Sequence, residues 1–314
     1  RFAAKLTEGA CHHRADFVLD PVLSPDGSRL AWVEWSHPDM AWHGAQVMVG
    51  DLDARGVVTR VERVVGGPGA AAFEPVWLSD DELAVLHEAG DFVQPWSVRL
   101  GQVPVPLVAD DVEYGLPPWV PRLRSMVRMP DGRLAVVRTV DGVQEVVLVA
   151  PDGEVTRIPG AFTAVRSLSA LGAERPAARV LAEMAGPRQP WSVGSLGAAA
   201  ASDDVSDAAH GVADGVADTE QYSTSAESDD PAYLNEPRSV WWTGFGDRPV
   251  QGFLYWPTHP EVAGPPGELP PLMVTAHSGP TLAALPVASA ARAFFTSRGI
   301  AVLDVNYSGS SGFG

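Results

Sequence analysis

Apolar and polar positions alternate in short bursts from residue 17 to residue 195, with turns between them. Bursts at 18–19 and 30–35 flank Ser24-Pro25-Asp26-Gly27, and the alternation over 46–52 runs into Asp53. The cadence returns at 75–78, 83–87 and 96–100 around Ser79-Asp80-Asp81. It returns again from Met129-Pro130-Asp131-Gly132 through 134–139 and 145–150 to Pro151-Asp152-Gly153. A period of two marks half-buried strands, while proline and glycine at these places mark tight turns. Each unit reads turn, strand, loop, strand, with a repeat of roughly fifty residues, the sign of propeller blades. One blade cannot hide both faces, so neighbours must stack. A β-sandwich also has short alternating strands, but the turn recurring in one phase of each unit favours the propeller. Three blades are legible and a fourth is expected around 177–196. Residues 1–236 are thus read as a partial propeller of about four or five blades.

The pattern changes further along. Residues 197–230 are rich in Ala, Ser and Asp and have almost no large apolar side chains, so they predict an acidic loop or a degenerate blade. Residues 239–243 and 250–256 predict a hairpin around Gly244-Phe245-Gly246-Asp247, followed by a Pro/Gly-rich connector over 257–271. Residues 272–276 are apolar enough to predict a strand buried on both faces. Residues 285–298 predict a helix with Ala288, Ala291, Phe294 and Phe295 on one side and Gly299 at its end. A second buried strand follows at 300–305. Strand, helix, strand is a βαβ unit, so 237–314 predicts the start of an α/β domain.

Composition removes several function classes. The formal net charge is −17, and nine acids fall between Asp203 and Asp230 with no Lys or Arg from Gln189 to Pro237. That balance speaks against nucleic acid or an anionic membrane as partner, and the run itself reads as a solvated loop. No apolar run approaches the roughly eighteen residues needed to span a bilayer. The lone Cys11 excludes an internal disulfide and points to a reducing, cytoplasmic setting. No Cys/His spacing suits a metal, His12-His13 included, and nothing calls for a cofactor.

Two loops carry candidate chemistry. His277-Ser278-Gly279-Pro280 follows the strand at 272–276 directly. In α/β-hydrolases the loop after the third strand gives a backbone N–H to the oxyanion hole. A fixed amide donor there stabilises charge growing on a carbonyl oxygen, and glycine permits close approach. The second loop is the tail from Asn306 through Tyr307, Ser308 and Gly309 to Gly314. It is glycine-rich but lacks the Gly-x-x-x-x-Gly-Lys signature of a phosphate loop.

Taken in order, the elements become specific: Pro270-Pro271-Leu272-Met273-Val274, then His277-Ser278-Gly279-Pro280-Thr281, Phe294-Phe295-Thr296-Ser297-Arg298-Gly299 and the tail at 306–314. This order resembles the prolyl oligopeptidase family of serine peptidases, nearest its acylaminoacyl-peptidase and dipeptidyl-aminopeptidase-like members. Leu23-Ser24-Pro25-Asp26-Gly27 and His37-Pro38-Asp39-Met40-Ala41-Trp42 resemble their propellers as well. The resemblance implies that Gly279 donates its N–H to the oxyanion hole and that His277 is a structural residue of the loop, not the base. It implies that Ser278 and Pro280 belong to that loop, and that Asn306, Tyr307 and Gly309 shape the next one. Ser278 stands where the family has glycine, and Ser308 where it has arginine. A positive φ at Ser278 would add strain of about 1 kcal/mol.

The family's nucleophile sits in a Gly-x-Ser-x-Gly elbow, and no such run occurs here. Nucleophile, acid and base are therefore expected outside this sequence, and the chain alone is expected to be inactive. The apolar strand at 272–276 would then lack a partner on one side. The start at Arg1 and the small blade number add to the expectation of a partial chain. The expected partners are a short peptide substrate and the remainder of the hydrolase domain, on the same polypeptide or a second chain. Glu34, Asp39, Glu88 and Asp91 lie at strand ends or in loops, where solvated acids are common and holding a free amino terminus is the alternative role. Two other readings remain open: a non-catalytic propeller binding protein with a degenerate α/β part, and an α/β-hydrolase esterase. Trp32, Trp35, Trp77, Trp119 and Trp191 are expected to fill space between blades, and Trp241, Trp242 and Trp256 to pack the hairpin.

Overall fold

The structure is a computed structural model that describes residues 15–120, 123–171, 179–197, 220–224, 230–279 and 281–314. Strands dominate it. The first sheet joins β1 (Phe17–Leu23), β2 (Arg29–Trp35), β3 (Gln46–Leu52) and β4 (Val58–Gly66) in chain order, with a short helix α1 (Ala41–Gly44) before β3. The second joins β5 (Ala72–Trp77), β6 (Glu82–Glu88), β7 (Val93–Arg99) and β8 (Val105–Pro106). The third runs through β10 (Met126–Arg128), β11 (Leu134–Val140), β12 (Val143–Val149) and β13 (Val155–Ile158), with β9 (Glu113–Tyr114) pairing β11. The fourth has β14 (Ala164–Leu171), β15 (Arg179–Gly186), β16 (Gln189–Gly197) and β17 (Glu220–Thr224). These are propeller-type blades, so the repeat read from the sequence is physical. Apart from its ends and β17, the acidic stretch at 197–230 lies outside the described residues.

The recurring turns explain the regularity. In each, the glycine N–H returns to the carbonyl three residues earlier: Gly27 to Ser24 at 2.9 Å, Gly132 to Met129 at 3.0 Å, Gly153 to Ala150 at 2.9 Å. The three glycines have φ of 72°, 92° and 89°, which other residues adopt only with strain. Proline ahead of them presets the first turn dihedral. Between the first two blades, Trp77 Nε1 donates to Val22 O at 3.2 Å and Arg29 Nη1 to Asp80 O at 2.6 Å.

By internal contacts the chain divides into two units, Arg1–Val136 with Leu148–Val155, and Val137–Val147 with Thr156–Gly314. The second contains a mixed sheet of β18 (Arg238–Thr243), β19 (Pro249–Tyr255), β20 (Leu272–Ala276) and β21 (Ala301–Asn306), in the order β18-β19-β21-β20. β18, β19 and β21 are antiparallel, and β20 runs parallel to β21, pairing Leu272 with Ala301 through Ala276 with Val305. Helix α2 (Ala290–Thr296) connects the parallel pair, which realises the expected βαβ unit. One face of the sheet is closed by Phe253, Tyr255 and Val302, packed with Met273, Phe295 and Val143.

Three expectations are corrected here. Strand β20 is not buried on both faces, Leu272 being 54% and Val274 61% exposed, while its lack of a partner on one side among the described residues is as expected. Helix α2 begins at Ala290 rather than 285, because Ser289 caps it by accepting from Arg292 N, and Ala293 and Thr296, not Phe294, are its buried residues. Trp241, Trp242 and Trp256 do not fill the hairpin's packing, being 48%, 37% and 37% exposed; Trp119, at 40%, is also outside the core that holds Trp32 and Trp77.

Candidate functional site

Strand β20 delivers His277, Ser278 and Gly279 at its end, and β21 delivers Asn306, Tyr307 and Ser310 at the parallel end beside it. Parallel pairing therefore brings the two loops singled out in the sequence together. His277 lies between them. Its ring stacks on Tyr307 at 4.4 Å and 18°, its Nδ1 lies 2.9 Å from Ser278 O and 3.3 Å from Tyr307 OH, and its Nε2 is 2.7 Å from Ser310 Oγ. Tyr307 OH donates to His277 O at 3.2 Å, and Ser310 Oγ donates to Tyr307 O at 2.7 Å. Ser310, only 3% exposed, belongs to the Gly309-Ser310-Ser311-Gly312 run, whose spacing does not fit a Gly-x-Ser-x-Gly elbow.

Asn306 does separate work. Buried at 3% exposure, it donates to Gln251 Oε1 at 2.6 Å and to Ala284 O at 3.2 Å, and accepts from Ala284 N at 2.7 Å. It thereby ties the chain leaving the His277 loop to β19 and β21. Ser311 N adds a bond to Leu282 O at 3.0 Å. Gly309 has φ 92°, which permits the turn after Tyr307. Beneath the loops, Arg292 of α2 pairs with Asp304 of β21 at 2.8 Å, both largely buried. Burial pushes the Tyr255 hydroxyl well above its ordinary pKa, against the pull of Arg292 lying over its ring.

Gly279 is exposed, and its φ is not positive. Among the described residues nothing accepts from its N–H. A Cβ placed there would meet only Tyr307 OH, at 3.8 Å. Gly279 is thus an exposed residue beside a held histidine, with room at its Cα. Ser278 is exposed and also free of a positive φ, so the serine there adds no backbone strain. The left-handed residue of the loop is Thr281 instead, at φ 54°. Pro280 lies outside the described residues.

Elsewhere the acids sort by surroundings. Glu34 is not available to an amine: it is 1% exposed and accepts from Trp32 Nε1 at 2.7 Å and Gln46 Nε2 at 3.0 Å. Asp91 is exposed and Asp39 partly buried. Burial raises the Glu88 carboxyl, partly offset by His43. Glu113, absent from the sequence reading, is raised to about 7 by burial, with Glu88 adding to the rise. Glu74 reaches about 7 by burial, although its carboxylate accepts from Ser125 Oγ, Ser125 N and Met126 N. Among the described residues no group of three His, Cys, Asp or Glu side chains could hold a metal ion. No helix among them is long and apolar enough to cross a membrane.

Propeller-type sheets followed by a mixed sheet with paired loops have counterparts in solved structures of peptidases. A puromycin-hydrolyzing peptidase of Mycobacterium tuberculosis matches at 32% identity and TM-score 0.82, covering 96% of this chain and 43% of its own. A puromycin hydrolase matches at 29% and 0.81 over the same shares. Prolyl oligopeptidase B from Galerina marginata, at 14% and 0.66, shares the fold over 94% of this chain and 38% of its own. The chain is similar to part of an enzyme of the prolyl oligopeptidase family of serine peptidases, and it spans under half the length of these relatives. No protein-family model matches it, nor does any curated protein.

Proposed function

We propose that this chain supplies the propeller and one oxyanion donor of a serine peptidase acting on short peptides, of the aminopeptidase or acylaminoacyl-peptidase type. On this reading residues 1–236 form the propeller domain and 237–314 open an α/β-hydrolase domain. Nucleophile, acid and base come from residues beyond this sequence, on the same polypeptide or a second chain. The enzyme works in the cytoplasm, a placement that rests on the single Cys11.

The observation that carries the reading is the Gly279 N–H, exposed and unengaged among the described residues, next to a histidine held at several points. When a hydroxyl attacks a peptide carbonyl, the oxygen gains charge, and an already oriented amide donor meets it without reorganising. Removing one such donor in acyl transfer typically lowers kcat by about 10²–10³. His277 cannot serve as base on this reading, because both its nitrogens are engaged within the loops. The exposed edge and face of β20, with Leu272 and Val274, support a missing neighbour that completes the sheet.

The test is to express residues 1–314 alone and together with the gene's continuation past Gly314. Puromycin and free and N-acetylated aminoacyl anilides serve as substrates, and a fluorophosphonate as the label. The longer protein should hydrolyse and be labelled, and the short one should do neither. Hydrolysis by the short chain, or its failure in both, would overturn the proposal. The anilide pair separates the two peptidase types.

A further inference from the structure

We propose that Gln251 is a positioning residue for the loop that carries Gly279, acting through the Asn306 side chain. The role presupposes the oxyanion reading of Gly279 and concerns what holds the returning arm of that loop.

Each of the two side-chain amides has a single consistent orientation. Ala284 N can only donate and Ala284 O can only accept, so Asn306 turns Oδ1 to the first, at 2.7 Å, and Nδ2 to the second, at 3.2 Å. The other Nδ2 hydrogen goes to Gln251 Oε1 at 2.6 Å. Gln251 is fixed in the same way. Gly252 O can only accept, so Nε2 faces it at 3.2 Å, and Oε1 is left for Asn306. Ser239 Oγ takes the remaining Nε2 hydrogen at 3.0 Å. Gln251 and Asn306 are 1% and 3% exposed, and every polar group on both side chains is engaged. At such burial, loss of one member leaves the next without its partner.

Both arms of the Gly279 loop are held by β21 and the residues after it. On the outgoing arm His277 contacts Tyr307 and Ser310. On the returning arm Leu282 O accepts from Ser311 N, and Asn306 grips Ala284 through both its backbone groups. Between the arms Thr281 has φ 54°, a left-handed conformation that a β-branched residue keeps only where its surroundings over-determine it. Gly279 is exposed and lies just ahead of that turn, so its placement follows from the arms. Gln251 sets the Asn306 amide, Asn306 grips Ala284, and Ala284 fixes the arm that returns from Gly279. Gln251, buried on β19, touches no substrate in this scheme.

The test uses the complete enzyme, an aminoacyl anilide substrate and five variants: Gln251→Met, Asn306→Ala, their combination, Ser239→Ala, and Gly279→Pro, which deletes the amide donor. Gln251→Met keeps the bulk but cannot accept from Asn306. It should lower kcat roughly tenfold with KM within about twofold, since a misplaced donor weakens transition-state rather than ground-state contacts. The double variant should lose no more kcat than Asn306→Ala alone. Ser239→Ala should keep kcat, because Gly252 O still orients the Gln251 amide. Hydrogen exchange should show the Ala284 amide as slow as those of β21 in the wild type, and fast in Gln251→Met while β21 stays protected. If Gly279→Pro is inactive while Gln251→Met keeps kcat, or if the losses from Gln251→Met and Asn306→Ala simply add, the positioning role is wrong and the oxyanion reading stands. Free exchange at Ala284 in the wild type overturns the role equally, and needs no variant to fold. If Gly279→Pro keeps kcat, the oxyanion reading itself fails.

Discussion

Gly312 illustrates how tightly single residues are constrained near the candidate site. Its φ is 96°, and a Cβ there would lie 2.5 Å from Thr139 Cγ2. Gly312→Ala should therefore destabilise the protein by roughly 2 kcal/mol, from a left-handed backbone plus a clash. Thermal denaturation checks it, and an unchanged Tm would mean the tail is not packed on β11. Gly279 differs, since neither φ nor packing demands glycine there. Gly279→Ala should leave Tm nearly unchanged but lower kcat, because the added methyl stands beside the amide a substrate oxygen must reach. Gly279 stands out in the sequence because a glycine after an apolar strand is a local signal. Ser310 and Glu113 do not, because the contact of Ser310 with His277 and the burial of Glu113 arise only in the fold.

At the scale of elements, the blades were legible where the turn chemistry is specific. Gly27, Gly132 and Gly153 sit at positive φ that the sequence announces with Pro-Asp ahead. The start of α2 was misread because Leu285, Val287 and Ala288 mimic a helical face, while the cap Ser289 lies four residues further on. Glu74 is an inter-blade clasp, joining β5 to the residues entering β10, and its own φ is 50°. Its carboxyl rises from 4.5 to about 7, burial outweighing the three donors, with Asp20 adding to the rise. Such a group stabilises most below about pH 4.5, and that stability is lost as pH rises through 7, by about 3 kcal/mol in all. Glu113 titrates in the same window. Stability should therefore fall between about pH 5 and 7.5. Glu74→Gln, whose amide can still accept from the two backbone N–H groups, should flatten about half of that slope. Denaturant titrations across the range decide it, and an unaltered slope would mean Glu74 is ionised throughout.

For the whole molecule, the apolar composition of 272–276 described the surroundings this strand is built for, not its place among these residues. A sequence pattern encodes which face an element hides, and says nothing of which segment covers it. Leu272 and Val274 of β20 are exposed, next to a strand edge that is unpaired among the described residues. Such an edge invites association. Residues 1–314 expressed alone should self-associate at micromolar concentration in light scattering, and Val274→Lys should reduce this. Equal association by both would place the contact elsewhere, for instance at Phe245, fully exposed at the hairpin tip.

The most direct measurement is the kcat of the complete enzyme with Gly279 replaced by proline, compared with wild type on one aminoacyl substrate. The account predicts a fall of about a hundredfold or more with KM nearly unchanged and the fold intact by circular dichroism. A variant that folds and turns over at the wild-type rate would contradict it.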